Sequence, residues 1–166
     1  MKHSLFALAA LLVEVSSVFA QESMPSTAPL FSARLHDLDD KPIAMSAFQG
    51  QPLVVNFWAR WCGPCKEEIP ELIRARAKYK GKGLEVVGIA IEDNAGAVNG
   101  YARAYEIDYP VLLSKDKGIP LMQALGNPKA GLPYTLVLDR NGRVVHKKLG
   151  LLRKADMDAA FEAALK

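Results

Sequence analysis

The chain has 166 residues, of which 50% are hydrophobic and 23% are charged. This balance excludes wholesale disorder, a collagen-like repeat and a membrane protein with several spans. Its 21 Lys and Arg residues and 18 Asp and Glu residues give a formal net charge of +3. Because the charges are interspersed, no basic stripe indicates a nucleic-acid partner.

The first twenty residues have the layout of a secretory signal peptide. Lys2 precedes an uninterrupted apolar run from Leu5 to Val13, and Val18-Phe19-Ala20 places small residues before a possible cleavage point. The apolar run is too short to cross a bilayer as a helix. Glu14 is unusual directly after such a run, and the alternative is an uncleaved amphipathic helix. We expect residues 1–20 to direct the protein to the periplasm or another extracytoplasmic compartment.

The remaining chain divides into a short lead-in and one domain. Residues 21–29 are polar and contain Pro25 and Pro29, which predicts a flexible segment. Residues 30–166 are long enough to bury a core of their own without a disulfide or metal to stabilise it. We therefore expect a single domain over residues 30–166.

The predicted elements alternate between strands and helices from one end of this domain to the other. In chain order they are a hairpin of Phe31–Leu38 and Pro42–Met45, a buried strand Leu53–Trp58, a helix that ends at Gly81 and Gly83, a strand Leu84–Ile91, a helix capped by Asn94, a strand Pro110–Leu113, a helical turn Ile119–Leu125, a hairpin of Tyr134–Leu138 and Val144–Leu149, and a closing helix that carries Met157 to Leu165. This order predicts an α/β fold with a central mixed sheet flanked by helices.

The helix after the buried strand has an apolar stripe and an acidic beginning. Glu67, Glu68 and Glu71 enrich its first turns, where carboxylates interact favourably with the positive end of the helix dipole. Pro70 lies inside the pattern and is expected to kink the helix.

The only two cysteines of the chain, Cys62 and Cys65, lie where the buried strand gives way to this helix. Covalent haem attachment is excluded because Lys66 stands where a histidine is required. A zinc site needs four ligands, and His36 and His146 are isolated, so zinc is disfavoured. A structural disulfide here would close a loop of a few residues and add little stability, which disfavours it as well.

A redox-active dithiol is the interpretation that the position of the pair favours. Cys62 would stand at the N-terminus of a helix, where unpaired N–H groups and the dipole stabilise a thiolate. Pro64 suits the first helical turn because its missing N–H would have been unpaired there. Gly63 keeps bulk away from the sulfur that is attacked.

The segment from Val54 to Pro70, VVNFWARWCGPCKEEIP, resembles the secreted thioredoxin-like subfamily typified by TlpA and ResA. Those proteins are periplasmic or extracytoplasmic thiol-disulfide oxidoreductases. The resemblance extends from about Phe31 to Lys166 and implies a thioredoxin fold with an N-terminal β-hairpin and an inserted segment after Ile91. The segment Gly131-Leu132-Pro133-Tyr134-Thr135 matches the second signature of the family and implies a cis peptide bond before Pro133, which faces the disulfide.

The resemblance also implies roles for individual residues. Cys62 is expected to be the nucleophile and Cys65 the resolving thiol. The residues expected to contact the substrate are Trp61, Gly63, Pro64, Leu132 and Pro133.

One residue departs from the cytosolic thioredoxins in a way that affects the mechanism. Those proteins carry a buried Asp before the motif, whereas this chain has Asn56, which cannot accept a proton. Related secreted members place a Glu in the inserted segment, and Glu92 is the candidate for that general base. The alternative is a solvated carboxylate at the end of a strand.

The expected activity is reduction of disulfides in exported proteins, without a cofactor or metal, by a protein that acts as a monomer. Gly63-Pro64 matches thioredoxin, with a potential of about −270 mV, rather than DsbA at about −120 mV. A reductase in an oxidising compartment implies a membrane thiol-electron carrier of the DsbD or CcdA type. Apocytochrome c and copper-site proteins are the substrate classes that the family implies. An oxidising variant, or a Cu(I)-binding metallochaperone in which His36 or His146 assists the thiolates, is the alternative.

Overall fold

A computed structural model describes residues 24–166 of the chain. The signal peptide predicted over residues 1–20 lies outside the described residues, as does the beginning of the predicted lead-in. Within residues 24–166, no helix combines the length and the apolar character needed to span a membrane.

The strands of residues 24–166 form one mixed sheet of seven strands in the order β2-β1-β5-β4-β3-β6-β7. They are β1 (Arg34–His36), β2 (Pro42–Ala44), β3 (Leu53–Trp58), β4 (Glu85–Ala90), β5 (Val111–Leu113), β6 (Tyr134–Leu138) and β7 (Val144–Leu149). β4 is parallel to both β3 and β5, and the remaining neighbours are antiparallel. The predicted mixed sheet is thereby confirmed, with the strand before the cysteines near its centre.

Helices cover both faces of this sheet. They are α1 (Ala28–Ser32), α2 (Gly63–Tyr79), α3 (Ala95–Ala104), α4 (Gly118–Ala124) and α5 (Lys154–Ala164). α2, α3 and α5 pack on one face, against Val54 and Trp58 of β3, whereas α1 and α4 pack on the other, against Val55 and Phe57. The alternation of side chains along β3 therefore sorts its residues between two cores.

The N-terminal hairpin is confirmed but is shorter than the sequence predicts. The strand predicted from Phe31 is wrong at its beginning, because Phe31 lies in α1 and β1 starts at Arg34. Pro29, at the start of α1, favours a helical turn because it fixes φ where no N–H is needed. The Thr27 hydroxyl donates to the carbonyl of Gly142 at 2.6 Å. The last residues of the predicted lead-in thus belong to α1, and the Thr27 hydrogen bond attaches this end of the lead-in to the domain.

The ends of α2 and α3 follow local signals in the sequence. α2 ends at Tyr79, and a 3-10 turn then reaches Gly83, whose φ of +87° is readily adopted by glycine. Asn94 caps α3 as predicted, since its Oδ1 accepts the backbone N–H of Ala97 at 2.9 Å. The segment after Ile91 therefore contains an ordered helix, α3, which begins at Ala95.

A buried cation anchors α2 to the sheet. Arg76 donates to Glu85 of β4 through Nε at 2.6 Å and to Asp108 through Nη1 at 3.2 Å. Because both partners are carboxylates, the charge that α2 brings into the interior is neutralised. The helix that carries the cysteines is thus fixed near its far end by ion pairs as well as by apolar packing.

Candidate active site

Cys62 and Cys65 form a disulfide, with the two sulfurs 2.07 Å apart. Cys62 is the N-cap residue of α2, and its Sγ accepts the backbone N–H of Cys65 at 3.2 Å. Both cysteines are buried, although Cys62, at 5% exposed, is the less buried residue and Cys65 is 1% exposed. The same N–H and the helix dipole would stabilise a thiolate on Cys62 after reduction.

The residues around the disulfide present an exposed surface. Trp61, directly before Cys62, is 69% exposed, and Gly63 and Pro64 are exposed as well. A large aromatic side chain that remains in water beside a buried disulfide is available for contact with another molecule.

The peptide bond between Leu132 and Pro133 is cis, which confirms the prediction for this bond. Pro133 is buried and directly precedes β6, whose first residue, Tyr134, is paired with Phe57 of β3. Pro133 therefore lies at the same edge of the sheet as the end of β3, from which the chain continues to the cysteines. Leu132 is half-buried and packs against both cores.

A side chain holds the loop that leads to Pro133. Asn127, which is buried, donates from Nδ2 to the carbonyl of Gly131 at 2.8 Å and accepts the N–H of Gly131 at 3.2 Å. On the other side, the N–H of Gly150 donates to the carbonyl of Pro133 at 2.8 Å. These contacts fix the backbone of the loop at both ends.

A buried carboxylate lies one helical turn beyond Cys65. Glu68 is 1% exposed, and its Oε1 accepts a hydrogen bond from the Thr135 hydroxyl at 3.1 Å. Asn56 in turn donates from Nδ2 to the Thr135 oxygen at 2.9 Å. Burial raises the pKa of Glu68 to about 7, although the Thr135 hydroxyl, the Leu152 backbone N–H and the Asn56 amide each lower it. A group with this pKa can exchange a proton near neutral pH.

Sequence reasoning missed Glu68 because it attributes all three acidic residues of this helix to the dipole. That attribution is wrong, since α2 begins at Gly63 and its first turn contains no acidic residue. The helical period offered a signal. Glu68 lies three residues after Cys65 and four before Leu72, and both of these neighbours are buried. Glu67, one residue earlier, is exposed.

Glu92, the general base predicted from the sequence, is bound to Arg60. Its Oε2 accepts the backbone N–H of Arg60 at 2.8 Å, and its Oε1 lies 2.9 Å from Nη2 of the same residue. The Glu92 side chain is 10% exposed, so it is not a solvated carboxylate at a strand end. Among residues 24–166, no hydrogen bond joins Glu92 to Cys62 or Cys65.

Two further polar side chains are buried in the same core as the two cysteines. Within residues 24–166, the Trp58 Nε1 and the Tyr109 hydroxyl have no hydrogen-bond partner. Burial and then the charge of Glu68 raise the pKa of Tyr109. Gly88 makes room for both rings, because a Cβ on it would lie 3.0 Å from Trp58 Nε1 and 3.0 Å from Tyr109 Cε2.

The two histidines considered for metal binding lie far apart in the sheet. His36 is on β1 and His146 is on β7, with four strands between them. In residues 24–166, no group of three or more His, Cys, Asp or Glu side chains is arranged to hold a metal ion.

Known proteins match this chain over most of its length. The model of the Redoxin family matches residues 20–165. The chain belongs to the Redoxin family. Within this family it is 32% identical, over 127 residues, to a thiol-disulfide oxidoreductase ResA of Bacillus cereus, an alignment that covers 76% of this chain and 70% of the relative. It is 31% identical over 143 residues to ResA of Bacillus subtilis (strain 168), covering 84% of this chain and 76% of that one.

A solved structure extends the comparison to the fold. The crystal structure of a thiol:disulfide interchange protein of the thioredoxin family from Chlorobium tepidum TLS is similar, with a TM-score of 0.74 and 29% identity. It covers 87% of this chain and 99% of that one. Together with the Cys62–Cys65 pair, these relatives identify the Redoxin protein as a thiol-disulfide oxidoreductase with a thioredoxin fold.

Proposed function

We propose that this Redoxin protein reduces disulfides of exported proteins by dithiol-disulfide exchange. The observation that carries the proposal is the combination of a cysteine pair at the start of α2 with a buried carboxylate one turn further on. Thiol-disulfide oxidoreductase activity is common to this protein and its relatives. The direction of the reaction and its substrates are inferred from the residues.

In the first step, the Cys62 thiolate attacks one sulfur of a substrate disulfide. A bond forms between Cys62 and that sulfur, the substrate disulfide breaks, and the second substrate sulfur leaves as a thiolate. Cys62 is suited to this role because it is the more exposed residue of the pair and caps the helix, where its Sγ accepts the Cys65 N–H. Trp61, Gly63, Pro64, Leu132 and Pro133 would form the surface against which the substrate chain lies.

In the second step, Cys65 attacks Cys62 and releases the other substrate sulfur. The protein keeps the Cys62–Cys65 disulfide, and the substrate gains two electrons and two protons. Cys65 must lose its proton before it attacks, and we assign the base to Glu68. Glu68 shares the buried side of α2 with Cys65, and its pKa of about 7 suits a base that works near neutral pH.

The direction proposed is reduction, because Gly63-Pro64 matches the thioredoxin dipeptide rather than that of the oxidant DsbA. Thioredoxin has a potential of about −270 mV, against about −120 mV for DsbA. Steady turnover in an extracytoplasmic compartment would then require a membrane thiol-electron carrier of the DsbD or CcdA type to reduce the Cys62–Cys65 disulfide. Residues 1–20 support export of the protein to such a compartment.

Trapping of the mixed disulfide tests the proposal. Cys65→Ser, reduced and mixed with a protein disulfide substrate, should accumulate a covalent adduct through Cys62, seen by non-reducing electrophoresis and peptide mass mapping. Cys62→Ser is the matched control and should form little adduct. If both variants trapped substrate equally, the assignment of the nucleophile would be wrong.

Equilibration with glutathione or dithiothreitol tests the direction. A potential near that of thioredoxin supports a reductase, whereas a value near that of DsbA would contradict it and favour the oxidising alternative. The same measurement repeated with stoichiometric Cu(I) tests the metallochaperone alternative. Cu(I) that binds the reduced protein, and not Cys62→Ser, would support that alternative.

A further inference from the structure

Arg60 and Glu92 join the two loops that leave the sheet beside the disulfide. β3 and β4 are parallel neighbours, with Trp58 opposite Ala90, so the loops that follow them leave from the same edge. The N–H of Ile91 also donates to the carbonyl of Trp58 at 3.0 Å. The second residue after each strand is therefore Arg60 on one loop and Glu92 on the other.

Glu92 engages Arg60 at two points that serve different purposes. The bond from the Arg60 backbone N–H to Oε2, at 2.8 Å, fixes the backbone of the turn. The ion pair between Oε1 and Nη2, at 2.9 Å, neutralises the guanidinium. The side chains are 10% exposed for Glu92 and 37% exposed for Arg60, so water screens the pair only in part.

The turn held in this way leads directly into the reactive pair. Cys62 follows Arg60 by two residues, and its N–H donates to the carbonyl of Ala59 at 3.1 Å. Trp61 is 69% exposed and therefore has little packing of its own to fix it. Packing of Trp61 therefore does little to hold the turn in place. The contact from Glu92, on the neighbouring loop, holds it instead.

Other titratable groups lie on the elements that follow the two loops. Burial and Tyr105 raise the pKa of Tyr101 of α3, and the charge of Glu92 adds to this effect. The first turn of α2 adds Lys66 and Glu67, which are exposed and of opposite charge. Arg60 is therefore the cation nearest to Cys62 in sequence, and Glu92 is its counter-ion.

We propose that Glu92 is a positioning residue for disulfide exchange, which holds the turn before Cys62 and cancels the charge of Arg60 in that turn. This inference rests on the proposed use of Cys62 as the attacking thiol. It gives Glu92 a role that acts through Arg60, and it leaves the proton of Cys65 to Glu68.

The sign of the effect follows from the charges. Glu92→Gln keeps an oxygen that can accept the Arg60 N–H but removes the counter-ion. An uncompensated cation two residues before Cys62 favours the thiolate and stabilises the dithiol form, which makes the pair more oxidising. Arg60→Gln leaves an uncompensated carboxylate and acts in the opposite direction. The double substitution Arg60→Gln/Glu92→Gln removes both charges. It should restore the wild-type equilibrium between the dithiol and the disulfide.

A double-mutant cycle measures this effect without any protein substrate. The full chain, both single variants, the double variant and Asp93→Asn are equilibrated with dithiothreitol at pH 7, and the dithiol fraction is quantified by alkylation. Asp93 is the matched control because it is exposed and adjacent to Glu92. We expect Glu92→Gln to shift the equilibrium constant toward the dithiol by roughly threefold to tenfold, where tenfold corresponds to about 30 mV. Arg60→Gln should shift it the other way, and the double variant and the control should remain near the wild type.

Three outcomes would overturn the proposal. They are a shift in Glu92→Gln no larger than that in Asp93→Asn, a double variant displaced as far as Glu92→Gln, and an Arg60→Gln shift of the same sign as Glu92→Gln. Near-UV circular dichroism of each oxidised variant identifies any variant that fails to fold, and Arg60→Gln alone then still tests the predicted sign. Because dithiothreitol replaces the substrate, a failure to reduce protein disulfides would sink the proposed function and leave this result intact.

Discussion

The Thr135 hydroxyl donates a hydrogen bond to the Glu68 carboxylate at 3.1 Å, across the interface between β6 and α2. Thr135 lies two residues after the cis Pro133, and Glu68 lies three residues after Cys65. One hydrogen bond therefore connects the two signatures of the site in its interior. Asn56 of β3 also takes part, because its amide donates a hydrogen bond to the Thr135 oxygen. Thr135 therefore accepts from Asn56 and donates its hydroxyl proton to Glu68.

Replacement of Glu68 should change the pH dependence of the resolving step. Since burial raises the pKa of Glu68 to about 7, the fraction of ionised base increases as the pH rises through this value. Glu68→Gln should slow release of the substrate thiol by roughly 10²-fold or more at pH 8 and remove the rise near pH 7. Stopped-flow thiol detection with the preformed mixed disulfide measures this step. Glu67→Gln is the exposed control, and an equal loss in both variants would refute the role of Glu68.

The same carboxylate should make the stability of the oxidised protein depend on pH. The unfolded chain releases this proton near the ordinary value of 4.5, whereas the folded protein holds it to about 7. The native state therefore binds more protons between these values, and its stability decreases as the pH rises through them. Glu68→Gln lacks this component, so its free energy of unfolding should increase relative to wild type by up to about 3 kcal/mol between pH 4.5 and pH 8.

Urea unfolding of the oxidised forms at the two pH values measures the difference, with Glu67→Gln as the control. A difference between wild type and Glu68→Gln that is the same at both pH values would show that the folded protein does not hold this proton.

Gly88 leaves little room for a side chain. A Cβ there would lie 3.0 Å from both the Trp58 ring and the Tyr109 ring, and Trp58 is fully buried. Gly88→Ala should therefore destabilise the protein by roughly 1–3 kcal/mol, measured by urea unfolding. Gly81→Ala is the matched control, because no atom lies within 4 Å of its added Cβ and its effect should be small. A neutral Gly88→Ala would mean that the two rings can move apart at little cost.

Trp61 should contribute to substrate binding and little to folding. Because the side chain is 69% exposed, Trp61→Ala should change the free energy of unfolding by no more than about 0.5 kcal/mol. It should raise KM for a protein disulfide severalfold while kcat changes less. Ile119→Ala, which removes another exposed apolar side chain, serves as the control. Equal KM values for Trp61→Ala and wild type would exclude Trp61 from the docking surface.

The periodicity and turn chemistry of the sequence were sufficient to predict the order of elements from β1 to α5, but not α1. β3 is fully buried and reads as a continuous apolar and aromatic run apart from Asn56, and Asn94 has the side chain that a helix start requires. The error at Phe31 has a local cause, because Phe is common in strands and its helical turn depends on the preceding Pro29. The segment is too short for periodicity to distinguish the two structures.

The interior of the site could be predicted only in part. The cysteines and Pro133 stand in short local motifs, which the sequence displays directly. Glu68 acquires its pKa from burial and from Thr135, which is 67 residues away in the chain. The ion pair of Glu92 with Arg60 likewise needs the register of β3 against β4. Both carboxylates look alike in the sequence, and only tertiary contacts separate their environments.

The position of β6 has a consequence for a chain that emerges with its N-terminus first. β6 pairs with β3 along its whole length, and it brings Thr135 and Pro133 to the site. A partly emerged chain that ends at residue 120 already carries both thiols, yet its β3 has an unpaired edge and Glu68 lacks the Thr135 hydroxyl. The dithiol would thus be able to form non-native disulfides before Pro133 and Thr135 take their places around it. During biogenesis, the last third of the chain would convert a merely reactive cysteine pair into a selective one.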